Sequence, residues 1–74
     1  MDPHTTWRVL LCSYAASDWD QVEEFATALQ EWLRSGGFPP ITSDHPGLDA
    51  AWHRCIAASA CAFALQKARE GRPS

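Results

Sequence analysis

Apolar positions along the chain fall into three patterned stretches, joined by short polar or proline-rich segments. The clearest stretch follows Asp18. Val22, Phe25, Ala26, Leu29, Trp32 and Leu33 recur at helical spacing, and Trp19 extends the stripe at its start. Glu23, Glu24, Thr27, Gln30, Glu31 and Arg34 fall largely off that stripe. Asp18 suits the N-cap, with Gln21 placed to complete a capping box and Ser17 as the alternative cap. Gly36 and Gly37 end the helix, one of them as a left-handed cap.

The most apolar stretch is Cys55 to Leu65, where Ser59 is the single weakly polar side chain among eleven residues. It is too short to cross a bilayer, which needs about 20 residues. Flanked by Arg54, Lys67 and Arg69, it reads as a core helix that other elements must surround. The spacing predicts a helix that begins between Ser43 and Asp49 and ends near Ala68. Asp49 is one cap candidate, and Ser43 with Pro46 in the first turn is the other. Leu48, Trp52, Cys55, Ser59, Ala62 and Gln66 form one row of it. Ala51, Ala58 and Leu65 form a second, with Ile56 and Phe63 near the seam. Between the two helices, Phe38 to Gly47 is a linker with three prolines, whose Phe38 and Ile41 are expected to tuck onto the core.

Thr6 to Tyr14 is rich in β-branched and aromatic residues and has no Gly or Pro, so it reads as a strand. Its interior, Val9 to Cys12, is apolar on both faces, as in a covered strand. Phe38 to Thr42 offers at best an edge piece, because of its two prolines. The expected fold is therefore α+β and mostly α. It is a β-α-α protomer with one N-terminal strand and two antiparallel helices. Residues 1–5 form a disordered lead, 6–70 one domain and 71–74 a loose tail. A lone strand and an over-apolar helix cannot both be sheltered in one copy, so the expectation includes an intertwined homodimer through the strand and the second helix. Trp7, Val9, Leu11, Trp52, Ile56 and Phe63 are its expected interface.

Size sharpens that expectation. A chain of 74 residues buries only about 60% of its unfolded surface and gains from a partner. Three cysteines without a CxxC pair argue against a disulfide framework and for a reducing compartment, with each thiol buried and inert. The start of the chain has neither the basic nor the apolar segment of a signal peptide, so the expected location is cytoplasmic, with no membrane contact.

The net charge of −3 is unevenly spread. Residues 18–36 hold five acids against Arg34, while residues 54–72 hold Arg54, Lys67, Arg69 and Arg72 against Glu70. A dedicated nucleic-acid binder usually shows a basic excess, so nucleic acid is an unlikely partner. The acidic face of the first helix, Asp20, Glu23, Glu24 and Glu31, is the expected contact for another protein. Four tryptophans in so short a chain also suit binding, although Trp in a tiny domain is more often core.

The run Arg8 to Tyr14, the turn Ser17-Asp18-Trp19 and the following helix resemble the opening of TIR-like and Rossmann-like nucleotide-binding domains. That resemblance covers less than half of the chain, lacks a glycine signature and implies further parallel strands. The order strand, helix, helix is similar to that of ribbon-helix-helix repressors. It implies a strand-paired dimer that reads the major groove with outward side chains, of which Arg8 is the one strong base contact.

No residue set spells a catalytic chemistry. His45, Asp49 and His53 share a spacing of four, but Pro46 and Gly47 interrupt it. Asp49 as a cap beside two exposed histidines is the simpler reading, so no metal is expected. Cys12 and His53 have no spacing that brings them together as nucleophile and base. No glycine-rich phosphate loop follows the first stretch, so no cofactor is expected. The function these observations favour is a non-catalytic interaction or regulatory module, similar in style to small accessory proteins of bacteria and phages that inhibit or adapt a host protein. The alternatives are a nucleic-acid-binding regulator, of ribbon-helix-helix type or acting through its basic tail, and a minimal α/β small-molecule-binding domain.

Overall fold

The helix that follows Asp18 forms as its pattern dictates. In the computed structural model, which describes residues 1–71, it spans Trp19–Arg34 and is α2 of three helices. Asp18 is the cap, its carboxylate accepting the Gln21 amide at 3.3 Å. Gln21 does not close the capping box. Its side-chain oxygen instead accepts the Ser13 hydroxyl at 2.8 Å and ties α2 to the preceding helix. Gly36, at φ 92°, takes the left-handed position. The Gly36 and Gly37 amides then close onto the Leu33 and Trp32 carbonyls in a Schellman motif. Gly37 has a separate reason to be glycine, because the Trp32 indole lies where its side chain would start. From there the indole N–H donates to the Phe38 carbonyl at 2.8 Å.

The expected strand is a helix. α1 spans Pro3–Ala15, and no strand occurs among the described residues. Residues 1–5, expected as a loose lead, contain the cap and the first turn. Asp2 accepts the His4 and Thr5 amides and the Thr5 hydroxyl, and Pro3 occupies the first helical position, where a missing N–H costs nothing. The Thr5 hydroxyl bond is the main reason why the Asp2 carboxyl stays below its ordinary range. The buried positions Pro3, Thr6, Leu10 and Ser13 keep helical spacing, but two of the four are polar, so the apolar pattern hid the period. Both polar groups are satisfied: Thr6 donates to the Asp2 carbonyl at 3.0 Å and Ser13 to Gln21. A helix pairs its own backbone groups, so the need for a strand partner disappears. The intertwined strand dimer and the resemblances to ribbon-helix-helix, TIR-like and Rossmann-like folds go with it.

α3 spans Ala50–Gly71, so Gly71 belongs to it, and the rest of the expected tail, residues 72–74, lies outside the described residues. Asp49 caps it, accepting the Trp52 amide at 2.9 Å; Ser43 and Pro46 remain in the linker. Its buried row is His53, Ala57, Cys61, Ala64 and Ala68, neither of the expected rows. Small side chains face α2 because they let its larger Val22, Leu29 and Leu33 come close. Trp52, Ile56 and Phe63 are left outside. The linker reverses expectation in the same way. Phe38 and Ile41 are more than half exposed, while Pro39 and Pro40 are buried. A proline brings no N–H that burial would leave unpaired.

α2 runs antiparallel to both neighbours. Trp19 at its start lies against Gly71 at the end of α3, and Leu33 near its end accepts from Arg54 near the start of α3. Arg54 also reaches the Gly37 carbonyl at 2.8 Å, so one guanidinium closes the C-terminal end of α2. The core lies along α2, with Leu10 from α1 on one side and Ala57, Cys61, Ala64 and Ala68 from α3 on the other. Cys61 is fully buried, whereas Cys12 and Cys55 are exposed free thiols, against the expectation of three buried ones. None of the described helices is long and apolar enough to cross a membrane.

Candidate interaction surface

Because α2 occupies the middle, α1 and α3 run in the same direction on its flanks and leave a groove between them. Leu10 forms its floor, 2% exposed. Trp7, Leu11 and Tyr14 form one wall and Ala60, Phe63 and Ala64 the other. The groove holds about 200 Å³ and every one of its lining residues is apolar or aromatic. Tyr14 and Phe63 meet across it with ring centroids 6.1 Å apart. Leu11 is 48% and Phe63 54% exposed, so the rim is open to solvent.

The apolar surface continues beyond the groove. Trp52, Ile56, Ala60 and Phe63 are spaced four, four and three apart, so they share one face of α3. Trp52 and Ile56 are both exposed. Charge is scarce along this surface. No acid occurs on α1 from Pro3 to Ala15 or on α3 from Ala50 to Arg69. Arg54 is engaged at the end of α2, and Arg8 lines a different depression between α1 and α2. The cation beside the groove is Lys67, whose ammonium lies 5.7 Å from the Phe63 ring centroid.

Five of the six residues expected at a self-interface therefore lie on one surface: Trp7, Leu11 and Phe63 in the groove, Trp52 and Ile56 along its continuation. Val9 does not. It faces the α1–α2 depression with Thr5, Arg8, Cys12, Ser13, Ala16, Asp18 and Gln21. The four acids expected to meet a protein partner, Asp20, Glu23, Glu24 and Glu31, lie together on the outer face of α2 around a shallow depression. Sequence reasoning missed Leu10, Tyr14, Ala60 and Ala64. Once α1 is read as a helix, Trp7, Leu10, Leu11 and Tyr14 form a stripe at i, i+3, i+4 and i+7, which was the available signal.

The remaining candidates are dispersed. Asp49 caps α3, His45 accepts the Gly47 amide, and His53 is buried rather than exposed. His53 accepts the Thr42 amide at 3.0 Å. Among the described residues no cluster of three or more His, Cys, Asp or Glu could hold a metal. Cys12 sits in the α1–α2 depression, and His53 faces the linker. Of the basic residues, Arg54 is held by carbonyls, Lys67 lies over Phe63, Arg69 is exposed, and Arg72 lies outside the described residues. The chain matches no family model, no curated protein and no solved structure.

Proposed function

We propose that this protein is a non-catalytic binding module that works by receiving an amphipathic helix of another protein in the α1–α3 groove. The observation that carries the reading is the uncharged apolar strip from Trp52 through Phe63 to Leu11, which a folded single copy leaves in water. Two parallel helices with a gap between them lack the fourth helix that would complete a bundle, and helix-in-groove docking is a recurrent recognition mode. Trp52, Leu11, Ile56 and Phe63 leave roughly 300–400 Å² of apolar side chain open, within the range of patches that are often functional. At about 25 cal/mol per Å² that area yields roughly 8–10 kcal/mol, to be set against an association cost of about 4–15 kcal/mol, so the partner's own apolar face has to contribute as well. Lys67 at the end of the groove favours a partner helix with an acidic residue there.

A second copy is the competing occupant. Two such strips facing each other bury about half of the roughly 800 Å² per partner that a stable dimer needs. A helix embraced by both walls is covered on two sides and makes better use of the same surface. The acidic face of α2 supports solubility and orientation in this reading, not capture. The free thiols suit a reducing, cytoplasmic setting.

The test is selection from a displayed library of amphipathic helical peptides. The expected binders carry apolar residues at i, i+4 and i+7 and lose binding to the Leu11→Glu protein but not to the Glu23→Lys protein. Binders indifferent to Leu11→Glu would sink the reading. So would stable dimerisation by light scattering that Leu11→Glu abolishes, because the occupant would then be a second copy.

A further inference from the structure

The two walls of the groove run the same way, and its two ends differ in charge. Both walls start at the linker. His4 near the start of α1 accepts the Ile41 amide at 3.3 Å, and His53 near the start of α3 accepts the Thr42 amide at 3.0 Å. The acids at this end are Asp2, which caps α1, Asp49, which caps α3, and Asp44 of the linker. Arg54, the cation in the first turns of α3, is held by the Leu33 and Gly37 carbonyls. Arg34 is exposed near the same end, but on α2, across the core from the groove. At the other end Tyr14 meets Phe63, and the Lys67 ammonium lies 5.7 Å from the Phe63 ring centroid. Lys67 is thus one turn past Phe63 on the same exposed face. Glu70 lies a further turn on, in the depression with Trp19 and Gly71. Arg69 belongs to a different depression, with Ala62, Leu65 and Gln66.

We propose that the groove takes its helix in one direction, antiparallel to α1 and α3, and selects a helix with acids in its first turn and basic residues in its last. This rests on the docking reading above and adds the partner's direction and charge pattern to it. Three arguments converge. α1, α2 and α3 alternate in direction, so an antiparallel fourth helix makes every adjacent pair antiparallel, as in an up-down-up-down bundle. The positive end of its dipole then lies beside the negative ends of both walls. Its acidic first turn meets Lys67, and its basic last turn meets Asp2 and Asp49. The same charges suit that helix's own dipole, so one pattern serves both folding and docking. Parallel docking would instead set like charges against each other at both ends. Along α3 the strip from Trp52 to Lys67 is about 22 Å long, the length of a helix of roughly 16 residues.

The probe is a synthetic amphipathic peptide of roughly 16 residues, with leucines at helical spacing, glutamates in its first turn and lysines in its last. A nitroxide label is placed at one end or the other. The amino-end label should broaden the amides of Tyr14, Phe63 and Lys67 more strongly than those of Trp52 and Ile56, and the carboxyl-end label should do the reverse. Lys67→Glu should weaken binding about threefold, and a peptide with lysines in its first turn should recover that loss. Arg69→Glu makes the same charge change away from the groove and should leave binding as it was. The opposite broadening pattern, or equal broadening at both ends from each label, overturns the proposed direction. Equal effects of Lys67→Glu and Arg69→Glu overturn the charge pattern. In these cases the peptide still occupies the groove, so the docking reading stands without its direction. A peptide that does not bind the groove at all overturns both.

Discussion

Cys61 shows how much a single small residue carries here. It sits fully buried between α2 and α3, and burial alone pushes its thiol up to about 11. Unfolded, the same thiol ionises near its ordinary value of 9.0. Between those values the folded state keeps a proton that the unfolded state has lost, so stability is intact below about pH 9 and declines as pH rises through about 11. A shift of this size corresponds to roughly 2–3 kcal/mol. Urea denaturation from pH 8 to 11 should show that decline in wild type and a smaller one in Cys61→Ala. Alkylation at neutral pH should label Cys12 and Cys55 and spare Cys61 until the chain unfolds. From sequence the three thiols looked alike. Their difference is set by which face of a helix meets α2, and composition does not carry that.

Among the elements, α2 was legible in its span and buried stripe because that face is apolar and its ends carry Asp18 and Gly36 as caps, although Gln21 binds Ser13 rather than closing a capping box. Asp18→Ala should cost about 1 kcal/mol in thermal or urea denaturation, while Asp18→Asn should cost little. α1 was misread for a physical reason. Thr6 and Ser13 occupy buried positions that hydrophobic counting assumes to be apolar, and hydrogen bonds to Asp2 and Gln21 make that burial tolerable. The cap pair Asp2-Pro3 was in view but was assigned to a loose lead. α3 was recognised, and its start at Asp49 was among the candidates, but its buried face was assigned to larger residues. Close helix approach selected Ala57, Cys61, Ala64 and Ala68 instead, which released Trp52, Ile56 and Phe63 to the surface. Trp7, Leu11, Trp52, Ile56 and Phe63, named together from the sequence, thus share one apolar surface, although α1, which carries two of them, was read as a strand.

For the whole molecule, one central helix with two flanking ones gives a core only one layer deep. Leu29 is a fully buried member of that core, so Leu29→Ala should cost about 2–5 kcal/mol, a large part of the total for so small a domain. Leu11→Glu should change stability by less than about 0.5 kcal/mol, because its site is half exposed. The contrast separates what holds the protein together from what it leaves for a partner. The open groove is the consequence of this architecture: α2 covers one face of α1 and of α3, and nothing in the described chain covers the faces they turn toward each other.

The most direct measurement is a backbone amide map of the nitrogen-15-labelled protein titrated with a selected amphipathic helical peptide. The account predicts saturable shifts confined to Trp7–Tyr14 of α1 and to Trp52–Ala64 of α3, absent in Leu11→Glu. Shifts centred on Asp20, Glu23, Glu24 and Glu31 of α2, with α1 and α3 silent, would contradict it.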